Sequence, residues 1–339
     1  MTPIGHFWQN TIRRWQPRLS PAPKIAFTTV TMARVQSRLS LEATVRTYSF
    51  VTVDVFTDSR FGGNPLAVFT NAAGMSDEEM QVLARELKLS ETTFVLPPEN
   101  GDHTARVRIF NPVAEMAFAG HPNVGTALVL AAMTDTQATR MIFEEKAGLV
   151  EIEFQHGPDG QALSATVEAP VPLTLSLEIS PDLIAKCIDL NPAQIETTTH
   201  LPVVASVGHP FVLAEVTPEA LSVAAPDVAA LRTAVAERPE LEDQLSIHLY
   251  AREGAGMRAR LFAPLAGTWE DPATGSANAA LAAYLLSLTD EDRITFEVSQ
   301  GVEMGRPSLL QVAAWRASDG FRASVSGRCV KVLEGVAHL

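Results

Sequence analysis

The sequence predicts an α+β protein of two similar lobes, each a strand-rich layer around one buried helix. The main observation is an internal repeat, because three segments of the first half recur in the same order in the second half. RVRIFNP matches RARLFAP, GHPNVGTAL matches GSANAALAA, and GGNPLAVF resembles VGHPFVLA. One such match is easily a coincidence, whereas three in order indicate a duplicated domain, with a period too long for a solenoid. The chain has 339 residues, 46% of them hydrophobic, which is enough for a core in each lobe.

The elements of the first lobe follow from hydrophobic periodicity and turn residues. YSFVTVDVF alternates like a strand, TDSRFGGNP predicts a turn, and LAVFT predicts a second strand. Ser76 with Glu79 forms the pattern of a capping box, which predicts the start of a helix. Two further strands are predicted at TTFVL and ARVRIF. The apolar face of the predicted helix consists of Met80, Leu83, Ala84 and Leu87.

Each half then contains an apolar helix that begins at a glycine. In the first half Gly120 is followed by His121, and in the second half Gly275 is followed by Ser276, which is also a candidate helix N-cap. Unpaired backbone N–H groups and the positive end of the helix dipole make a helix start attractive to anions. If the lobes face each other about a pseudo-twofold axis, the two starts form a receptor for a small carboxylate. The glycines would let the substrate approach the backbone closely.

The N-terminal extension, residues 1–45, differs from the rest in charge. Residues 1–50 hold seven Lys or Arg and one acidic residue, a net charge of +6, against −19 for the remainder with its 19 basic and 38 acidic residues. An acid-poor, Arg-rich amphipathic segment is typical of a mitochondrial transit peptide. A start codon upstream of the true one explains the segment equally well, and Met32 is another possible start. Both interpretations exclude the extension from the fold and leave residues 46–160 and 161–339 as the two lobes.

Several classes of protein are disfavoured by composition. The sequence has no apolar run of the eighteen or so residues needed to span a membrane. Its two cysteines, Cys187 and Cys329, are far apart and lack metal-like spacing, which argues against a disulfide scaffold and a zinc site. Few aromatics and little basic clustering argue against a nucleic acid partner. We expect a reducing, cytoplasmic location, or a mitochondrial one if the extension is a transit peptide.

Five ordered motifs resemble the PhzF-like phenazine biosynthesis family. They are VDVFTDSRFGGNPLAVF, LSETTFVLPP, FNPVAEMAFAGHPNVGTA, DPATGSANAALAAYL and SQGVEMGRPS, and they cover nearly all of the chain after the extension. The resemblance implies the diaminopimelate-epimerase-like fold, in which two pseudo-symmetric lobes each wrap a β-barrel-like sheet around a central helix. The active site of that fold lies between the lobes. The C-terminal strand, GRCVKVLEG, is expected to cross back to the first lobe.

The resemblance also implies a catalytic set. The best-known family activity is the isomerisation of trans-2,3-dihydro-3-hydroxyanthranilate, which needs neither a metal nor an organic cofactor. Glu91, in SETTF, matches the catalytic glutamate that moves a proton between two carbons. His121 and Asp271 match its polar assistants. Chemically, one carboxylate can act first as base and then as acid if an apolar cleft raises its pKa toward neutrality.

The substrate-binding residues are implied at the two helix starts. Ser276 matches a family residue at the substrate end of the second helix, and Gly120 the backbone beside it, with Gly275 as the equivalent backbone of the second half. The chain departs from the family pattern at Met116-Ala117, where Leu-Pro is common, at Asn123, where a small hydroxyl residue is common, and at Asn278, where His is common. We expect these departures to bear on the identity of the substrate. A small carboxylate substrate and a homodimer are the expected partners.

Other functions fit less well. A racemase with two facing thiols would need cysteines at the helix starts, and neither cysteine lies there. A serine hydrolase is disfavoured by the absence of G-x-S-x-G, and GHPNVGT lacks the lysine of a P-loop. A protein of the same fold that binds a small anion without turnover stays open as the alternative.

Overall fold

The computed structural model describes residues 45–134, 138–241 and 245–339, and residues 46–339 form one compact unit. The extension predicted at residues 1–45 lies outside the described residues, except for Val45. The unit is of the predicted α+β class, with a large sheet and few helices. None of the helices described is long and apolar enough to cross a membrane.

The helices in the described part of the chain differ in how they are capped. Ser76 caps the first helix with the predicted capping box, so this prediction is confirmed. Ser180 and Thr217 cap two short helices that have proline in their first turn, where its missing N–H costs nothing. Short 3₁₀ turns occur at Pro192–Gln194, Pro239–Leu241 and Pro264–Ala266. The helices are α1 (Asp77–Leu87), α2 (Gly120–Thr134), α3 (Pro181–Cys187), α4 (Pro218–Val223), α5 (Val228–Glu237) and α6 (Gly275–Ser287).

The strands of the described residues form one continuous hydrogen-bonded sheet. The four strands predicted for the start of the first lobe are all confirmed. The first half contains β1 (Thr47–Val55), β2 (Asn64–Phe69), β3 (Glu91–Leu96), β4 (Ala105–Phe110), β5 (Glu115–Met116), β6 (Arg140–Glu145), β7 (Gly148–His156) and β8 (Ala162–Glu168). The second half contains β9 (Thr174–Glu178), β10 (Ile195–Glu196), β11 (Val203–Ser206), β12 (Pro210–Val216), β13 (Ile247–Glu253), β14 (Gly256–Ala263), β15 (Thr268–Asp271), β16 (Arg293–Gln300), β17 (Ser308–Ala317), β18 (Gly320–Gly327) and β19 (Cys329–His338).

The pairing of these strands repeats, which supports the internal duplication. In the first half β2 lies antiparallel to β1 and parallel to β3, and β3 lies antiparallel to β4. In the second half β12 lies antiparallel to β11 and parallel to β13, and β13 lies antiparallel to β14. The first strand after each central helix pairs parallel with the second strand before that helix, β6 with β4 and β16 with β14. The same chain path is therefore built twice.

The two central helices are α2 and α6, as the sequence predicts. Nearly all of their residues are buried, and neither has a charged residue in its first or last turn. α2 packs on β1, β2, β3 and β8, whereas α6 packs on β11, β12, β16, β17 and β18. Helices that are apolar all round must be covered on every side, which the curved sheet provides.

Two connections join the halves. The last strand, β19, pairs antiparallel with β1 along its whole length, so the C-terminal strand lies against the first half. β8 pairs with both β7 and β18 and packs on α2. The predicted lobe boundary between residues 160 and 161 falls just before β8, and the sheet pairing favours a boundary after Glu168. The division into lobes 46–160 and 161–339 stays a prediction.

Candidate active site

Glu91 is the first residue of β3, where the chain returns from α1. α1 ends at Lys88, whose left-handed backbone conformation turns the chain toward the sheet. β3 then runs parallel to β2, with Glu91 opposite Leu66. This register places Glu91 beside the start of β2, and its side chain is only 15% exposed. A carboxylate so far removed from water needs a functional or structural reason.

His121 is the second residue of α2, and its ring faces Glu91. His121 Nε2 lies 3.2 Å from Glu91 Oε2, and the histidine side chain is 6% exposed. Neither of these two atoms has a hydrogen-bond partner among the described residues. Buried polar atoms are rarely left without hydrogen-bond partners, so this pair indicates a site that binds a polar substrate.

Asp271 comes to the same place from the second half of the chain. It is the last residue of β15 and pairs with Leu261 of β14. Its Oδ2 accepts a hydrogen bond from Thr274 Oγ1, and its Oδ1 accepts one of 2.9 Å from Asn64 Nδ2. Thr274 is the N-cap residue of α6, so Asp271 is held at the start of the second central helix. The fold therefore brings Glu91, His121 and Asp271 together.

Asn64 contacts His121, Asp271 and the residue before Glu91, and the sequence did not point to it. Its Nδ2 lies 2.9 Å from Asp271 Oδ1 and 3.4 Å from His121 Nδ1, and its Oδ1 accepts a hydrogen bond of 3.0 Å from Ser90 Oγ. Asn64 is fully buried. In the sequence it stands in GGNP, which reads as a turn, and nothing in a turn pattern separates a buried amide from a solvated one.

Gln300 is a second buried amide that sequence reasoning missed. Its Nε2 donates to the Asp271 carbonyl at 2.8 Å and to Thr274 Oγ1 at 3.0 Å. Its Oε1 accepts from Thr274 N at 3.2 Å and from Asn278 Nδ2 at 2.8 Å. Gln300 thus fixes the turn between β15 and α6, and with it the backbone that carries Asp271.

The two helix starts meet, as predicted. A β carbon placed on Gly120 would lie 3.6 Å from Gly275 Cα and 3.8 Å from Ser276 N. Ser276 is the second residue of α6 and not its N-cap, because Thr274 holds that position. The first backbone N–H groups of the two helices therefore converge beside His121.

Asn123 and Asn278 show the duplication at atomic detail. Asn123 Nδ2 donates to Ala119 O at 3.1 Å, and Asn278 Nδ2 donates to Thr274 O at 3.0 Å. Each amide returns to the carbonyl four residues earlier and so tightens the first turn of its helix. Both asparagines therefore bind local backbone.

The charge states of the site follow from burial. Burial, and then the negative charge of Asp271, raise the pKa of Glu91 from 4.5 to about 8. Burial lowers the pKa of His121 to about 3, so the ring is neutral at pH 7. Burial raises the pKa of Asp271 as well, while hydrogen bonds from Thr274 and Asn64 oppose that rise. At neutral pH the site therefore combines a neutral histidine with a glutamate that readily binds or releases a proton.

This arrangement has the parts needed for proton transfer at carbon. Among the residues that the structure describes, no group of three His, Cys, Asp or Glu side chains is placed to hold a metal ion. One carboxyl group near its pKa and two convergent helix starts are instead the parts needed for acid–base work on an anionic substrate.

Comparisons with known proteins identify the family of the chain. Residues 53–335 match the family model PhzC-PhzF, described as phenazine biosynthesis-like protein. A trans-2,3-dihydro-3-hydroxyanthranilate isomerase of Pseudomonas fluorescens is 37% identical, over 86% of this chain and 100% of the relative. A PhzF-family protein of Bacillus anthracis has a similar structure, with a TM-score of 0.77 and 26% identity over 86% of this chain and 99% of that one.

The likeness extends to epimerases at the level of the fold alone. A hydroxyproline epimerase of Agrobacterium vitis superposes with a TM-score of 0.59 over 87% of this chain and 93% of its own, at 14% identity. The predicted fold class is confirmed by this neighbour and by the PhzF-family structure. With the repeated topology, the buried Glu91–His121 contact and matched relatives over most of its length, the chain belongs to the PhzC-PhzF family of phenazine biosynthesis-like proteins and is an isomerase of the PhzF type.

Proposed function

We propose that this protein moves a proton between two carbons of a small carboxylate substrate by general acid–base catalysis at Glu91, without a cofactor. The observation that carries the proposal is the contact between the buried carboxyl of Glu91 and the neutral ring of His121, beside two converging helix starts. The pKa of Glu91, raised to about 8, lies about one unit from neutral pH. Ionising such a group at pH 7 costs only about 1.4 kcal/mol.

The reaction uses Glu91 twice. As a carboxylate it takes a proton from one carbon, and the electron pair of that C–H bond moves into the conjugated system of the substrate. As a carboxylic acid it then returns the proton to a second carbon, so that a double bond changes place and Glu91 is regenerated. No oxidant or second reactant enters the balance. A group that must act as both base and acid works best with a pKa near the operating pH.

The rest of the site binds and orients the substrate. The backbone N–H groups at Gly120, Gly275 and Ser276 would hold the carboxylate of the substrate, because helix starts favour anions. His121 and Asp271 would hydrogen-bond hydroxyl or amine groups near the reacting carbons. Glycine at both helix starts supports this role, since the two helices approach within van der Waals contact there.

The first candidate substrate is trans-2,3-dihydro-3-hydroxyanthranilate. Three relatives named as isomerases of this compound are 36% to 38% identical to the chain, which covers their whole length. The compound is a small cyclic carboxylate with an amine and a hydroxyl, which fits the functional groups proposed above. The homodimer and the cytoplasmic location expected from the sequence stay predictions.

The test is direct conversion followed by NMR. The purified protein should convert trans-2,3-dihydro-3-hydroxyanthranilate, or another cyclic amino- or hydroxy-carboxylate from a panel, into an isomer of equal mass. Binding should be measured in parallel by thermal shift. Binding of several panel members without conversion of any would contradict the isomerase and favour a protein that only binds small anions.

A further inference from the structure

Asn64 has an amide orientation that its surroundings fix. Its Nδ2 donates to Asp271 Oδ1 at 2.9 Å and to the carbonyl oxygen of Ala273 at 3.0 Å. Its Oδ1 accepts from Ser90 Oγ at 3.0 Å. A carbonyl or carboxylate oxygen can only accept, so exchanging the amide N and O would bring two oxygens together both at Ala273 and at Asp271. The NH₂ group of Asn64 therefore faces Asp271 and not Ser90.

This orientation decides which nitrogen of His121 carries the proton. His121 Nδ1 lies 3.4 Å from the same NH₂ group. The two hydrogens of that group bond to Asp271 and Ala273, so Nδ1 can share only one of them. An NH₂ group cannot accept a hydrogen from Nδ1, whereas a bare Nδ1 places its lone pair beside the amide hydrogens. The pKa of His121, lowered by burial to about 3, makes the ring neutral, so it carries a single proton. That proton must lie on Nε2, which is 3.2 Å from Glu91 Oε2.

We propose that Asn64 is a positioning residue, which holds His121 in the Nε2–H tautomer and so places an N–H group beside the carboxyl of Glu91. The inference deepens the proposed function and rests on it. An N–H donor favours the ionised form of Glu91, which is the form that takes a proton from carbon. The same amide binds Asp271, so one side chain aligns groups from both halves of the chain.

The position of Asn64 is itself braced from the second half. Arg306 donates from Nε to Gly63 O at 2.9 Å and from Nη2 to Gly62 O at 2.8 Å, and it forms an ion pair of 2.6 Å with Asp54. Gly63 has a φ of +62°, and a β carbon there would lie 2.3 Å from Val55 O, so only glycine fits. A turn held this closely is the support that a positioning residue needs.

The tautomer can be measured without any substrate. Protein labelled with ¹⁵N-histidine should show, in long-range ¹H–¹⁵N spectra, a protonated Nε2 and a bare Nδ1 for His121, assigned by the signal missing from His121→Gln. In Asn64→Asp the new carboxylate accepts from Nδ1, so His121 should change to the Nδ1–H tautomer or to the doubly protonated ring. Asn64→Ala, which removes the donor, should give a mixture of tautomers.

Gln300→Glu is the matched control, because it makes the same amide-to-acid change on the other side of Asp271. It should leave the tautomer of His121 unchanged.

With substrate, Asn64→Asp should lower kcat by about 10²-fold and change KM much less, because a misplaced catalytic group lowers the rate more than it weakens binding. A wild-type Nδ1–H tautomer, or a His121 signal identical in wild type and folded Asn64→Asp, would overturn the inference. If only the proposed function is wrong, the histidine spectra will still be as predicted, but the protein will not convert the substrate.

Discussion

His121 Nε2 lies 3.2 Å from Glu91 Oε2, and neither atom has a hydrogen-bond partner in the described part of the chain. The two residues come from the start of α2 and the start of β3, and α2 packs on β3. The contact is buried, so it sets the charge of both groups. The pH dependence of activity and of stability should therefore both report on it.

The pH profile of kcat/KM should carry a limb from Glu91. If Glu91 must be ionised to take a proton, activity rises with pH and levels off above about 8, the pKa to which burial and the charge of Asp271 raise this carboxyl. Asp271→Asn removes that charge and leaves the burial, so the limb should move to lower pH but stay above 4.5. The position of the limb is read from the shape of the profile, which a lower overall rate does not alter. An unmoved limb in Asp271→Asn would show that Asp271 does not act on Glu91 through its charge.

Stability should depend on pH through the same group. Between pH 4.5 and about 8 the folded protein holds a proton on Glu91 that the unfolded chain has released, so this residue makes the folded state less stable as pH rises. Glu91→Gln removes the effect. The free energy of unfolding of the variant should exceed that of wild type by an amount that grows across this window, to a few kcal/mol, and is constant above it. Urea unfolding at several pH values measures the difference, and a difference independent of pH would contradict the raised pKa.

Gly125 should tolerate no larger residue, although it lies within α2. A β carbon there would lie 2.6 Å from Leu66 Cδ2 and 2.7 Å from Val55 Cγ2, and both side chains are fully buried. Overpacking costs about 1–3 kcal/mol, which outweighs the roughly 1 kcal/mol that alanine gains over glycine in a helix. Gly125→Ala should therefore lower the urea midpoint. Gly101→Ala is the control, because nothing lies within 4 Å of its added carbon. Equal midpoints for the two variants would mean that α2 can shift in its sheet.

The sequence predicted those parts of the structure that correspond to a repeat, a capping motif or a regular spacing of residues. The repeated segments predicted the duplicated chain path, and the capping box at Ser76 predicted the start of α1. The glycines at the two helix starts predicted their convergence. Glu91, His121 and Asp271 were found by resemblance, since a single loop carboxylate or histidine carries no periodic signal of its own.

The rest depends on strand register and on buried amides, which have no such signal. Asn64 and Gln300 hold the site together, yet an asparagine before a proline and a glutamine at the end of a strand are ordinary in solvated turns. Arg306, in the motif SQGVEMGRPS, bonds to Asp54 and to the turn before Asn64. Only the three-dimensional pairing of the second half against the first shows these contacts.

Deuterium wash-in from heavy water tests the central claim most directly. The substrate identified by the conversion assay is incubated in heavy water with wild-type protein, Glu91→Gln or His121→Ala, and deuterium at the proton-transfer carbon is followed by NMR. Glu91→Gln keeps the shape and burial of the side chain but removes the base, so it should bind the substrate while exchange falls by about 10²- to 10⁴-fold. His121→Ala should lose less, because the histidine only assists. Exchange at the wild-type rate in Glu91→Gln would contradict proton transfer by Glu91.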